Sequence, residues 1–143
     1  MPLLRFSLFL GTHAALEIEK AIEEGKHVFC FSDNVTLEDE VRLKQLAHEK
    51  GLLLMGPDCG TGIINGVPIA FTNAVRKGKI GVIGASGTGI QEVTTIIHRY
   101  GQGVTNAIGT GGRDLSTAVG AVSMIDSIVA LNNDADTDVI IVI

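Results

Sequence analysis

A glycine-rich loop in the middle of the chain combines a flexible backbone with hydroxyl side chains, which suits the binding of an anion. Residues 79–93 read KIGVIGASGTGIQEV, an apolar run that breaks into glycines around Ser86 and Thr88. Glycines let backbone N–H groups approach an anion closely, and the first turn of a helix adds unpaired donors and a positive dipole end. The pattern predicts a phosphate or carboxylate site, although glycines that only form a tight turn would look the same.

A second glycine loop, IGTGGRDL at residues 108–115, follows the next apolar run in the same way. In a parallel sheet, loops after neighbouring strands lie on one edge, so residues 109–114 should line the same crevice as the first loop. Arg113 could pair with an anionic ligand or form a surface ion pair with Asp114, which could also cap the following segment. The candidate contacts from this loop are Gly109, Gly111, Gly112 and Arg113.

Other motifs for nucleotides, metals and nucleophiles are weak. The loops fit neither G-x-G-x-x-G nor G-x-x-x-x-G-K-[ST], so no dinucleotide fingerprint or Walker loop is predicted. Cys30 and Cys59 match no zinc or redox spacing, and we expect no metal site.

Cys59 follows Asp58 in a loop, where it is either a nucleophile or a small packing residue. His98, in the last turn of a predicted helix, is assigned a structural role at the helix dipole.

The elements that must position these residues follow an α/β pattern. Apolar spacing predicts a helix over 14–24, a strand over 27–31, and a helix opened by a capping box of Thr36 and Asp39. With a further strand over 52–55, this is a right-handed βαβ unit with parallel strands.

A second α/β series begins after a turn-rich segment that contains Pro57, Asn65-Gly66 and Pro68. Its predicted strands cover 80–83, 104–108 and 139–143, and its predicted helices cover 90–100 and 123–131. The apolar end DVIIVI resembles a parallel strand that feeds a crossover helix, so we expect the natural chain to continue beyond residue 143.

The amino-acid composition indicates the fold class and argues against some classes of binding partner. The 45% hydrophobic and 19% charged content fits strands buried between helices. A net charge of −5 without a basic run argues against a nucleic acid partner. The apolar start MPLLRFSLFL is too short to span a bilayer, so we expect no membrane association; it is predicted as an edge strand, with a secretion signal as the alternative. Because Cys30 and Cys59 do not indicate a disulfide framework, we expect a cytoplasmic location.

Four motifs in order resemble the FdrA family, a branch of the superfamily of succinyl-CoA synthetase α subunits and NDP-forming acyl-CoA synthetases. They are GPDCGT at 56–61, INGVPIAF at 64–71, KIGVIGASGTGIQEV at 79–93 and AIGTGGRDL at 107–115. The resemblance runs from about Ala14 to the end of the chain and implies a Rossmann-like CoA-binding domain followed by a flavodoxin-like ligase domain, both with parallel sheets.

Mapped onto this chain, the resemblance predicts a partial CoA-binding-type domain over 1–60, a linker or turn segment over 61–78, and a flavodoxin-like ligase-type domain over 79–143. The glycine-rich phosphate-binding part of the family's CoA domain normally lies upstream of this point. The resemblance implies CoA as a possible cofactor, whereas nucleotide binding by this chain alone is not expected.

In the synthetases, the segment similar to SGTG forms a helix N-terminus that holds the phosphoryl group of a phosphohistidine. This implies Ser86, Gly87 and Thr88 as phosphate or carboxylate contacts. The phosphorylated histidine belongs to a motif further downstream, and none of the chain's histidines matches it: His13, His27, His48 and His98.

The resemblance leaves three functions open. The synthetases have Asn at the position of Asp58, whereas FdrA-like proteins have Asp there. Such proteins are linked to carbamoyl transfer on oxamate in allantoin breakdown, which implies a carbamoyltransferase subunit. The enzyme alternative is an NDP-forming ligase subunit. The third is a non-catalytic anion-binding or assembly module. Each implies other subunits of a synthetase or carbamoyltransferase complex and a small anionic substrate, and apolar termini favour an oligomer.

Overall fold

The computed structural model describes residues 4–7 and 12–143 as an α/β structure with two sheets. The predicted α/β class with parallel strands is confirmed. The elements in chain order are β1 Leu4–Ser7, α1 Thr12–Glu23, β2 His27–Cys30, α2 Leu37–Glu49, β3 Leu54–Met55, β4 Thr61–Ile64, β5 Val67–Ala70, β6 Lys77–Gly84, α3 Gly87–Arg99, β7 Val104–Gly109, α4 Val122–Asn132 and β8 Val139–Val142.

The first sheet has the strand order β1-β2-β3 with both pairs parallel, and β1 lies at its edge as predicted. Helix α2 begins at the predicted capping box, where Thr36 Oγ1 accepts the backbone N–H of Asp39 at 3.1 Å. Apolar residues of α1, including Ile18 and Ile22, are fully buried in a core with Leu43 of α2. Their helical spacing explains why both helices were visible in the sequence.

The second sheet has the order β5-β4-β7-β6-β8. Strands β6, β7 and β8 are parallel, and Gly84 at the end of β6 pairs with Gly109 at the end of β7. Helix α3 connects these two strands, so both glycine loops leave the sheet at the same edge. This pairing is the reason that the two loops can form one site.

The segment 61–78, predicted as a linker or turn segment, contains a β-hairpin instead. Asn65 and Gly66 both have positive φ, 51° and 80°, as a two-residue hairpin turn requires, and β4 and β5 pair on either side. Pro68 is tolerated because β5 is the edge strand of the sheet. The turn at Asn65 and Gly66 was identified correctly, whereas Pro68, also predicted in a turn, lies in β5. The strands were too short to recognise. The division of the chain into two domains stays a prediction.

The two sheets share one apolar cluster. It combines Phe29 of β2 and Met55 of β3 with Ile83 of β6 and Ile108 of β7, all buried. Cys59 belongs to the same cluster. Contacts between side chains of both sheets therefore fix the loop after β3 against the edge of the second sheet. No helix in the described part of the chain is long and apolar enough to cross a membrane.

Candidate anion-binding site

A small crevice lies where β6 and β7 end, opposite the loop that follows β3. Its empty volume, including the part open to solvent, is about 170 Å³. The crevice therefore suits a small anion or the reactive end of a larger molecule. Its lining residues are Asp58, Cys59, Gly60, Thr61, Ala85, Gly87, Gly109 and Gly111.

The first glycine loop presents the N-terminus of α3 to this crevice. Ser86 is the N-cap residue, and its Oγ accepts the N–H of Gly89 at 3.1 Å and lies 3.3 Å from Thr88 Oγ1. Both hydroxyls are exposed, and the N–H groups of Gly87 and Thr88 have no acceptor among the described residues. The first turn of α3 therefore offers free donors at the positive end of the helix dipole.

The second glycine loop lies against the first and closes the crevice from the other side. Thr110 donates its N–H to the carbonyl of Gly84 at 2.9 Å. A Cβ at Gly109 would lie 2.5 Å from Cys59 Sγ, and one at Gly111, where φ is +87°, would lie 2.3 Å from the carbonyl oxygen of Pro57. These two glycines are thus required by packing, and both line the crevice.

Four of the predicted contacts lie outside the crevice lining, namely Ser86, Thr88, Gly112 and Arg113. Gly112 is exposed, and a Cβ added there would meet no other atom within 4 Å. Arg113 turns to α2, where its Nε lies 2.8 Å from Glu40 Oε2 and its guanidinium donates to the carbonyl of Val35 at 2.8 Å. The expected surface pair of Arg113 with Asp114 is therefore replaced by a pair with Glu40. Binding of a ligand by Arg113, which stays a prediction, would require it to leave Glu40.

A buried charged cluster behind the second loop was missed by the sequence reasoning. Lys44 of α2 is 1% exposed, and its Nζ donates to the carbonyl of Thr110 at 2.8 Å and to Asp114 Oδ1 at 2.7 Å. Glu40 Oε1 lies 3.1 Å from the same Nζ. The i, i+4 spacing of Glu40 and Lys44 is visible in the sequence, but such pairs are usually exposed on a helix surface. No sequence signal marked their burial.

Asp114 caps helix α4, which is one of the two roles expected for it from the sequence. Its carboxylate accepts the N–H groups of Ser123 at 3.1 Å and Met124 at 2.9 Å. The residue at the N-cap position, Ala121, has no side chain to do this and has a left-handed φ of 59°. Asp114 therefore joins three elements, because it contacts Lys44 of α2, the second glycine loop to which it belongs, and α4.

Two buried groups near the loop are incompletely satisfied. The carboxylate oxygens of Glu40 lie at ion-pair distance from Lys44 and Arg113, yet neither contact has the direction of a hydrogen bond. We interpret these contacts as ionic because the distances are short and the carboxylate is buried. Thr110 Oγ1 is buried and has no hydrogen-bond partner in the described structure.

Cys59 lines the crevice but has the properties of a packing residue. Burial raises the pKa of its thiol to about 12, and the thiol donates to the carbonyl of Thr61 at 3.5 Å. Burial likewise raises the pKa of Cys30 to about 11. A nucleophilic cysteine needs a lowered pKa, so these properties oppose that role. Asp58, by contrast, is an exposed carboxylate in the crevice wall, with a left-handed φ of 59°.

The described histidine contacts are structural. His98 Nδ1 accepts the backbone N–H of Arg76 at 2.9 Å, so its ring is held by that contact rather than by the dipole alone. His27 Nδ1 accepts the N–H of Leu53 at 2.9 Å, and burial lowers the pKa of His27. His48 pairs with Asp126 at 2.9 Å. Within residues 4–7 and 12–143, no three His, Cys, Asp or Glu side chains gather as a metal site.

Comparison with known proteins relates this arrangement to CoA-dependent ligases. Residues 75–142 match the family model described as CoA binding domain. That segment is the second α/β series, where the flavodoxin-like domain was predicted, and not residues 1–60.

Among related sequences, the uncharacterized protein YahF of Escherichia coli is 57% identical over 133 residues, which are 93% of this chain and 26% of YahF. The α subunit of the ADP-forming succinate–CoA ligase of Staphylococcus epidermidis is 29% identical over 132 residues, or 88% of this chain and 41% of the subunit. The chain thus has homologues among succinate–CoA ligase α subunits, and it spans less than half the length of either relative.

Among solved structures, the ATP citrate lyase of Methanothrix soehngenii in complex with citrate and coenzyme A superimposes with a TM-score of 0.80. The match covers 97% of this chain and 24% of the lyase at 18% sequence identity. At that identity, the likeness establishes a shared fold.

Proposed function

We propose that this chain is part of an α-subunit-like protein of the acyl-CoA synthetase superfamily, of the FdrA type, and that its crevice binds the phosphoryl end of an acyl or carbamoyl phosphate. One observation carries the proposal. Gly87 and Gly111 come from two different loops and line one crevice, and their N–H groups have no acceptor among the described residues. Free N–H donors at the edge of a parallel sheet are typical of a phosphate site.

The chemistry of such a site is electrostatic. During transfer of an acyl group, negative charge increases on the phosphoryl oxygens, and fixed N–H donors stabilise that charge without having to reorient. The donors here are fixed because Gly87 belongs to α3 and Gly111 is packed against the carbonyl of Pro57. Ser86 and Thr88 would add hydroxyl donors at the mouth of the crevice.

CoA is the cofactor that the homologues suggest, and the crevice fits only one end of it. The crevice is lined by only eight residues, so a thiol or acyl group could enter it but the nucleotide part of CoA could not. Gly87 and Gly109 are the residues that would contact the reactive end of CoA. CoA supplies the thiol that accepts the acyl group, while residues of this chain hold the phosphoryl oxygens and exclude water.

Asp58 favours the carbamoyl form of this function. Its exposed carboxylate lines the crevice and accepts hydrogen bonds, but it would repel a second anionic group. A carbamoyl phosphate places an amide NH₂ donor next to its phosphate, so one end can bind Asp58 while the other binds the N–H groups. An acyl phosphate with an alkyl group in that position would leave Asp58 without a partner.

Two alternatives rest on other observations. The homology to succinate–CoA ligase α subunits favours an NDP-forming ligase subunit that works with a partner subunit. A non-catalytic anion-binding or assembly module is favoured by the buried thiol of Cys59 and the engaged ring of His98, because neither is available as a nucleophile or base.

Isothermal titration with carbamoyl phosphate, acetyl phosphate, CoA and ATP tests the proposal. We expect carbamoyl phosphate to bind, and Ser86→Ala/Thr88→Ala to bind it more weakly. The matched control, Ser116→Ala/Thr117→Ala, removes two exposed hydroxyls that, unlike Ser86 and Thr88, do not flank a lining residue, and it should bind as the wild type does. Binding of CoA alone would favour the ligase subunit. Absence of binding by all four compounds would contradict the proposed site.

A further inference from the structure

We propose that Lys44 is a positioning residue of the crevice, because it orients the peptide group that presents the Gly111 N–H to a phosphoryl ligand. This inference rests on the proposed function and assigns a role to a residue that does not itself line the crevice. The side chain of Lys44 lies behind the second glycine loop with no exposed surface. It must therefore act on the ligand through another group.

That group is the peptide bond between Thr110 and Gly111. Lys44 Nζ binds the carbonyl oxygen of Thr110 at 2.8 Å, and this peptide bond is trans. In a trans peptide the C=O and N–H bonds point in opposite directions. Pulling the Thr110 carbonyl towards Lys44 therefore turns the Gly111 N–H away from the buried cluster, and Gly111 is the residue of this peptide that lines the crevice.

The peptide group between Thr110 and Gly111 has one unpaired donor, its N–H, that a ligand could bind. The Gly111 N–H has no acceptor in the described part of the chain, although Gly111 is buried. Thr110 Oγ1, on the other residue of the same peptide, is fully buried and also unpartnered. Thr110 does not line the crevice, whereas Gly111 does. Buried polar groups are normally paired, so the unpaired N–H of Gly111 indicates a place for an acceptor such as a phosphate oxygen.

Stability alone does not require a lysine at this position. Replacing a buried ion pair by apolar side chains of similar volume is often neutral or stabilising, so the cluster of Lys44, Glu40 and Asp114 is weak evidence for a stabilising role. An apolar side chain could fill the space, but it could not bind the Thr110 carbonyl. Control of that peptide is the property that only a donor at residue 44 supplies.

Nuclear magnetic resonance of the ¹⁵N-labelled chain, titrated with inorganic phosphate, tests the inference. In the wild type we expect the amide signals of Gly87 and Gly111 to shift together and to saturate at one Kd. In Lys44→Met, loss of one oriented donor should raise the Kd about tenfold. The Gly111 response should disappear while the Gly87 response remains. Lys50→Met is the matched control, because it removes a lysine from the end of the same helix whose ion pair with Glu23 is exposed.

The outcomes separate this inference from the proposed function. A wild type in which neither amide responds would overturn the phosphate site itself. A wild type in which Gly87 responds and Gly111 does not would overturn the role of Lys44 alone, as would a folded Lys44→Met that binds phosphate as tightly as the wild type.

If Lys44→Met does not fold, the ¹⁵Nζ signal of Lys44 in the wild type decides. A shift of this signal in parallel with that of Gly111 supports the inference, and an unchanged signal contradicts it.

Discussion

The two glycine loops have similar sequences and occupy equivalent places after β6 and β7, yet they are stabilised differently. In the first loop, the contacts of Ser86 are local, because its Oγ forms hydrogen bonds with Gly89 and Thr88 and with no other residue in the described part of the chain. In the second loop, Thr110 and Asp114 are held by Lys44, which is 66 and 70 residues away in sequence. The difference teaches that one crevice can combine an exposed half that depends on its own sequence with a buried half that depends on the rest of the fold.

The two loops differ in this way because their polar side chains are buried to different extents. The hydroxyls of the first loop are exposed, so each can exchange its present contact for water or a ligand at little cost. Asp114 in the second loop is fully buried, so its charge needs partners at all times. The first loop can therefore adapt to a ligand, whereas the second presents its donors in a fixed orientation.

The contrast between the exposed and the buried loop can be tested by the reactivity of Cys59, which packs against Gly109 at the buried side. This is where we expect the largest effect. With a pKa raised to about 12 from 9.0, its thiolate fraction at pH 8 should be about a thousandth of that of an ordinary thiol. Alkylation by iodoacetamide, followed site by site by mass spectrometry, should be correspondingly slow and should accelerate about tenfold per pH unit up to about pH 10. Labelling in urea provides the unfolded reference, and equal rates with and without urea would show that this side of the crevice is open.

The same raised pKa makes the folded chain less stable at high pH. The folded chain keeps a proton on Cys59 that the unfolded chain loses above its ordinary pKa of 9.0. Stability that is fully present below pH 9 should therefore decrease as the pH rises towards 12.

The next largest effect is expected for Asp114→Ala. The substitution removes the cap of α4 and leaves Lys44 with Glu40 as its remaining carboxylate, so it should lower the free energy of unfolding by about 3–5 kcal/mol. Urea denaturation measures this loss. Asp126→Ala is the matched control on α4, because Asp126 pairs with a largely exposed His48 and should cost less than about 1 kcal/mol. Equal losses would remove the distinction between buried and exposed contacts.

A third comparison lies within the second loop. Gly111→Ala would combine a left-handed φ with a Cβ 2.3 Å from the Pro57 carbonyl, and we expect a loss of about 2–4 kcal/mol. Gly112→Ala, where a Cβ has free space, should change the stability by less than about 0.5 kcal/mol. Thermal or urea unfolding of both variants measures the difference. A tolerated Gly111→Ala would mean that the loop is not packed as tightly as its contacts indicate.

The smallest effect is expected in the first loop. Ser86→Ala removes the N-cap of α3 and should cost about 1 kcal/mol. Thr88→Ala, at an exposed position in the first turn, should cost less than about 0.5 kcal/mol. If Ser86→Ala destabilised the chain as much as Asp114→Ala, the first loop would also depend on long-range contacts, and the proposed contrast would be wrong.

These differences explain which parts of the molecule the sequence could predict. The helices, the parallel strands and the capping box at Thr36 were predicted because their signals lie within a few residues of one another. The meeting of the two glycine loops was also predicted, because it follows from the order of parallel strands. The hairpin after Thr61 was missed because its strands have four residues each and contain no clear alternation.

The candidate site was less predictable than the fold. Arg113 was assigned to an anion on the basis of its neighbours in sequence, but Glu40 on α2 competes for it. Lys44 was overlooked because its partner Asp114 is distant in sequence and because a lysine on a helix is usually exposed. The contacts of Arg113 and Lys44 were not predicted for one reason, which is that long-range ion pairs carry no local sequence signal.

The apolar cluster shared by the two sheets has a consequence for protein engineering. Phe29 and Met55 from the first sheet pack with Ile83 and Ile108 from the second, so a cut between the sheets would expose both sets of side chains to water. Lys44 would also be separated from the loop it contacts. The smallest unit that could be transplanted into another protein with its crevice intact therefore includes both sheets, even though the family model matches only residues 75–142.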